Sequence, residues 1–106
     1  MKLTVKERFV ALSILPAQGN FVTLKVMRKL REKLTFSEEE MTFYSFVMDE
    51  EGESVTWDED VRQERDIDLT TKEFELLHTE LSKLDTKKTL QDDQFTLYEK
   101  LIVGED

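Results

Sequence analysis

Capping boxes constrain most strongly what this chain can fold into, because they fix where helices begin. Three are present, and each pairs a Ser or Thr with a Glu three residues later: Thr4 with Glu7, Ser37 with Glu40, and Thr70 with Glu73. In this motif the hydroxyl accepts the backbone N–H of the Glu, whose carboxylate accepts the N–H of the cap residue. Two further helix starts are indicated. Either Asn20 or Thr23 can cap a second helix, and Thr89 together with Asp92 can cap the last one.

Apolar residues at helical spacing follow these caps, most regularly at Phe74, Leu77, Leu81 and Leu84, so we expect the fourth helix to anchor the core. The predicted fold is mainly α: a compact five-helix domain with a small two-stranded β-hairpin inserted between helices 3 and 4. A length of 106 residues suits a single domain, 1–106. The predicted helices are 5–15, 22–34, 38–48, 71–84 and 90–102.

The three strong caps are spaced by 33 and 33 residues, which raises the question of an internal repeat. Outside L-T-V-K-E, F-S-E-E-E and L-T-T-K-E the aligned units do not keep their apolar positions. We therefore interpret the spacing as a recurrence of capping boxes, which are common in helical proteins.

An acidic insert, residues 49–69, separates the third and fourth helices. Residues 49–68 carry ten carboxylates against Arg62 and Arg65, a local charge of −8 in a chain of net charge −9. Most of the net charge therefore lies in one segment, which also contains the only Trp, Trp57.

The same insert has two alternating apolar fragments. Val55 and Trp57 would lie on one face of a strand, and Ile67 and Leu69 on one face of another. We expect these strands to pair as the hairpin. Their apolar side chains should pack against the helices, since an isolated hairpin is only marginally stable. Residues 58–66 would then form an exposed, charged connection.

Several classes of site lack support in the sequence. There is no Cys, so disulfides, thiol nucleophiles and thiolate metal sites are excluded. The carboxylates do not have the spacing of a calcium loop, and we expect no metal and no cofactor. The only His, His78, adjoins an apolar stripe and is expected to be half-buried. No catalytic motif is present, and we expect no enzyme activity.

No apolar run reaches the ~20 residues that span a bilayer, and no leader-like segment begins the chain. We therefore expect no membrane association and a cytoplasmic location.

The second helix has a basic face formed by Lys25, Arg28, Lys29 and Lys33. Residues 1–34 hold eight basic and two acidic residues, a net charge of +6, which could attract the phosphates of a nucleic acid. The net negative charge of the chain and the long turn at 15–20 make direct nucleic-acid binding the less favoured interpretation. The alternative is that the basic half pairs with the acidic insert, within one fold or across a dimer.

The third helix has a wide apolar arc between Met41 and Met48. Such an arc indicates a central helix or one that a partner covers. A self-associating assembly factor, in the simplest form a homodimer, is therefore a further alternative.

The fragments V-T-W, D-I-D-L-T-T-K-E and L-Y-E-K-L, all in the second half of the chain, resemble small accessory proteins of tailed phages and prophages. The resemblance implies a helical body around a short V-x-W strand and a bacterial host cytoplasm as the setting. It implies no activity.

From the residues we predict a non-catalytic module that binds a basic surface of a partner protein through the acidic insert. If that surface binds nucleic acid, the module would act as a competitive inhibitor. Trp is enriched at binding hot spots, and carboxylates complement a basic partner. The predicted contact residues are Trp57, Asp58, Glu59, Asp60 and Glu64.

Overall fold

The computed structural model describes residues 1–52, 54–58 and 64–104. The helices are α1 (Val5–Ile14), α2 (Phe21–Leu34), α3 (Glu38–Phe43), α4 (Thr71–Thr86) and α5 (Phe95–Tyr98), the last preceded by a 3-10 turn (Asp92–Gln94) and followed by a π-helical turn (Glu99–Val103). The strands are β1 (Lys2–Leu3), β2 (Val47–Met48), β3 (Val55–Thr56) and β4 (Arg65–Asp66). The mainly helical, five-helix prediction with a small hairpin between α3 and α4 is confirmed.

All three predicted capping boxes are present, at Thr4, Ser37 and Thr70. Of the two candidates for α2, Asn20 is the cap, with its Oδ1 accepting the backbone N–H of Thr23 at 2.8 Å. The predicted cap at Thr89 is wrong. The final helical segment begins instead after Gln91, whose N–H donates to Gln94 Oε1 at 2.8 Å.

The third helix is shorter than predicted: it ends at Phe43 rather than near residue 48. Ser45 has a left-handed φ of 56°, and the N–H of Phe46 donates to the carbonyl of Met41 at 2.9 Å. The chain then turns into β2. Aromatic and β-branched residues fit a strand as well as a helix, so packing and strand pairing decided this segment.

Two antiparallel pairs of strands are present, and neither is the predicted pair. β3 pairs with β2, which makes the hairpin, and β4 pairs with β1 at the N-terminus of the chain. The predicted pairing of the Val55 strand with the Ile67 strand is therefore wrong. Strands of two residues are too short to show alternation, so the sequence did not indicate β1 or β2 as partners.

The core has two parts. The larger joins α1, α2, α4 and the final helical segment, and includes Leu3, Ala11, Leu30, Leu34, Leu77, Leu81, Leu97 and Leu101. The smaller contains Val5, Phe36 and Tyr44, with Phe9, Phe46 and Trp57 packed against it. Because Leu77 and Leu81 are fully buried, the prediction that α4 anchors the core is confirmed.

The apolar residues of the insert pack on both parts of the core. Ile67 is buried in the larger core, Leu69 packs against it, and Trp57 packs on the smaller one. The prediction that apolar side chains hold the insert to the helices is confirmed for these three residues, whereas Val55 is half-buried and belongs to neither part of the core. None of the described helices is long and apolar enough to cross a membrane.

Candidate protein-binding surface

A buried arginine, Arg8, joins α1 to the end of α2 and the start of α3. Its side chain is 1% exposed and donates to Leu34 O at 3.2 Å, Thr35 O at 3.0 Å and Glu40 Oε2 at 2.6 Å. Its guanidinium also lies 3.9 Å from the centre of the Phe36 ring. These contacts satisfy carbonyls at the end of α2 that have no helical partner.

Two lysines make matching contacts at the starts of α4 and α1. Lys33 Nζ donates to Glu73 Oε1 at 2.6 Å and to Asp68 O at 2.8 Å. Lys100 Nζ donates to Glu7 Oε1 at 2.7 Å and to Lys2 O at 2.9 Å. In both cases the lysine binds the capping glutamate and the carbonyl two residues before the cap.

Each capping glutamate therefore has two roles: it caps its own helix, and it accepts a hydrogen bond from a cationic side chain of a distant element. Burial opposes ionisation of Glu40, but the hydrogen bonds from Arg8 and the Ser37 backbone outweigh it and hold the pKa at about 2. Burial opposes ionisation of Glu7 and Glu73 as well, yet the lysine contacts lower the pKa of both. These ionised carboxylates are part of the fold and are not free to bind a partner.

The hairpin differs in that its apolar and acidic side chains point to solvent. Phe43 at the end of α3 is 62% exposed, and Val47 and Met48 on β2 are 62% and 63% exposed. The turn that follows, with Gly52 at a φ of 71°, places Asp49, Glu50 and Glu51 on the exterior. We call these residues the hairpin surface: Phe43, Val47, Met48, Asp49, Glu50 and Glu51.

The predicted contact residues take different positions. Trp57 is half-buried, and its ring stacks on Phe9 with centroids 5.5 Å apart. Its indole N–H is buried and has no hydrogen-bond partner among the described residues. Trp57 therefore contributes mainly to packing, which the V-T-W alternation had also indicated.

Asp58 and Glu64 are exposed. Glu64 lines a shallow depression of about 570 Å³ together with Glu39, Phe43 and Arg65, which connects it to the hairpin surface. Glu59 and Asp60 lie outside the described residues.

The four cations of the predicted basic face have different environments in the structure. Lys25, Arg28 and Lys29 are exposed and form no ion pair within the described parts of the chain. Lys33 is held at the start of α4 by Glu73 and Asp68. Of these four cations, Lys33 alone contacts a described residue of the acidic insert, through the backbone carbonyl of Asp68. Elsewhere in the N-terminal half, the ammonium group of Met1 pairs with Asp66 of the insert at 2.8 Å.

Groups with possible chemical roles are sparse. His78 is half-buried as predicted, with its ring beside Phe74 and its Nδ1 3.4 Å from Ser82 Oγ. The described residues contain no group of three His, Asp or Glu side chains placed to hold a metal ion.

Sequence reasoning missed Arg8 and Lys100 as structural cations, because their partners lie 32 and 93 residues away. The wide arc from Met41 to Met48 predicted a central helix or one that a partner covers. In the structure the helix ends at Phe43, and Met41, Phe43, Val47 and Met48 are exposed. No family model, no curated protein and no solved structure matches this chain.

Proposed function

We propose that this protein is a non-catalytic interaction module that binds a basic surface of a partner protein through the hairpin surface. The observation that carries the proposal is the exposure of three large apolar side chains, Phe43, Val47 and Met48, in the same segment as the exposed carboxylates of Glu50 and Glu51. Apolar residues grouped with a charged rim are typical of protein-binding sites. The apolar side chains would supply contact area, and the carboxylates would select a basic partner.

The proposal includes a setting and a mechanism. The protein would act in the cytoplasm, as an accessory protein of a phage or prophage. If the basic surface of the partner is its nucleic-acid site, the module excludes the nucleic acid by occupying that site. The acidic turn would then take the place of the phosphates.

Capture from a cell lysate on the immobilised protein tests the proposal with matched variants. Glu50→Lys and Phe43→Ser change the hairpin surface, whereas Glu75→Lys and Phe95→Ser make the same changes at exposed residues on α4 and α5. We expect a protein that presents a basic surface to be retained by the wild type and by the two control variants, and to be lost from the two hairpin variants. Equal retention by all five proteins, or retention of no protein that presents a basic surface, would refute the proposal.

A second candidate function is nucleic-acid binding through α2, favoured by the exposed cations Lys25, Arg28 and Lys29. Phosphate contacts are strongest at low salt, so a gel shift under those conditions is the sensitive measurement. Absence of a shift at low salt would exclude this function. A shift that Lys25→Glu with Lys29→Glu abolishes would support it.

A further inference from the structure

The outward face of α2 carries one aromatic residue among cations. At 100° per residue, Phe21, Lys25 and Arg28 fall on the side of the helix opposite the buried Met27, Leu30 and Leu34. Phe21 is 79% exposed, more than any other large apolar side chain in the described part of the chain. We call Phe21, Lys25, Arg28 and Lys29 the α2 surface.

This surface is positive in a chain whose net charge is −9. Its three cations have no ion-pair partner among residues 1–52, 54–58 and 64–104, and only Glu32, one turn further along the same face, opposes them in sign. Exposed cations without an ion pair also lie elsewhere in the described residues, among them Lys72 and Lys87, but the α2 surface groups three of them on one face of one helix. Lys33 and Arg8, by contrast, are held in intramolecular contacts.

The α2 surface and the hairpin surface are complementary. One presents Phe21 with three cations, and the other presents Phe43, Val47 and Met48 with the carboxylates of the hairpin turn. Resting on the proposed function, we infer that the basic partner of the hairpin surface is the α2 surface of a second copy of this chain.

The contact would be head to tail, because it joins two different surfaces. The first molecule of such a pair keeps its α2 surface free and the second keeps its hairpin surface free. The contact therefore closes as a reciprocal two-fold dimer or a ring, or it continues as a chain of molecules. Both surfaces are small, which places the contact in the weak class of interfaces. The like net charges of the two copies also oppose association. Because the contact itself pairs cations with carboxylates, its affinity should fall when mutations change either surface and should vary strongly with salt.

Sedimentation velocity of the purified full chain tests the inference at concentrations up to ~1 mM, where even millimolar affinities are detected. We expect the mean mass to rise with concentration for the wild type at moderate salt. Lys25→Glu with Lys29→Glu should remain monomeric, and so should Glu50→Lys with Glu51→Lys. Lys72→Glu with Lys87→Glu makes an equal charge change at exposed lysines elsewhere and should associate as the wild type does.

Mixing the two monomeric double variants gives the decisive result. The first retains an intact hairpin surface and the second an intact α2 surface, so one contact can form between them. We expect a species of two chains in the mixture and none in either variant alone. Circular dichroism of each variant verifies that the helices remain folded.

Three outcomes would overturn the inference: a wild type that stays monomeric at every concentration and salt, association that neither double variant changes, or a mixture that stays monomeric. The proposed function is judged separately. If self-association is absent while capture of a basic protein still depends on Glu50 and Phe43, the second copy is excluded as partner and the interaction module stands.

Discussion

The helical body and the hairpin use the same kinds of residues in opposite ways. In the body, Glu7, Glu40 and Glu73 are bound by cations from distant elements, and most of the large apolar side chains are buried. In the hairpin, Glu50 and Glu51 lie in solvent beside exposed Val47 and Met48. The carboxylates that stabilise the fold thus have cations bound to them, whereas those of Glu50 and Glu51 can meet a partner.

Substitution of Arg8 should have the largest effect on the body. Arg8→Ala removes a donor from the Glu40 carboxylate and from the carbonyls of Leu34 and Thr35. Removal of one partner of a buried ion pair costs ~3–5 kcal/mol. Urea unfolding measures the loss. Arg28→Ala, at an exposed arginine of α2, is the matched control and should change the free energy of unfolding by less than ~0.5 kcal/mol.

Acid should destabilise the body in a defined range of pH. The pKa of Glu40 is about 2 in the fold, against 4.5 for the unperturbed group, so the carboxylate stabilises the fold above pH 4.5. This stability is lost as the pH falls through the folded pKa, and it amounts to on the order of 2 kcal/mol after allowance for screening by solvent.

The lowered pKa values of Glu7 and Glu73 act in the same direction. The free energy of unfolding, measured from pH 5 down to about pH 2, should fall less steeply for Glu40→Gln than for the wild type. Equal slopes would contradict the assigned role of Glu40.

Removal of a single lysine contact should have a smaller effect. Lys33→Met takes one donor from Glu73, which keeps its hydrogen bond from the Thr70 backbone, so we expect a loss of ~1–2 kcal/mol. Lys29→Met, on the exposed face of the same helix, should be near neutral. Thermal unfolding of both variants makes the comparison, and equal losses would show that the Glu73 contact adds no stability.

The hairpin surface should show the smallest effect on stability. Phe43→Ala is expected to change the free energy of unfolding by less than ~0.5 kcal/mol, because the ring is 62% exposed. Phe36→Ala, in the smaller core, should cost ~3–5 kcal/mol. If Phe43→Ala destabilised the fold as much as Phe36→Ala, the separation between the body and the binding surface would be wrong.

The 33-residue spacing of the caps corresponds to a pair of reciprocal contacts in the structure. Lys33, in the unit that begins at Thr4, binds the start of α4, and Lys100, in the unit that begins at Thr70, binds the start of α1. Each lysine contacts a capping glutamate and a backbone carbonyl. The middle unit lacks this contact, since Glu40 is bound by Arg8 and Arg65. The likeness is thus confined to the two outer units, where it depends on side chains far apart in sequence.

The sequence by itself determined the starts of α1, α3 and α4, the helical periodicity of α4 and the division into a body and an acidic insert. Capping and periodicity act over three or four residues, so a local pattern carries them completely. The same local pattern left open whether the apolar arc from Met41 to Met48 belonged to a central helix or to one that a partner covers.

Only the tertiary structure decided the strand partners, the end of α3 and which charges are held by the fold. β1 meets β4 across more than sixty residues, and Lys100 meets Glu7 across 93. Such contacts form because core packing brings the segments together, and no short stretch of sequence encodes that proximity. The lysines of α2 are an example. The sequence pattern does not distinguish them, but in the structure Lys33 pairs with Glu73, whereas Lys25 and Lys29 remain in solvent.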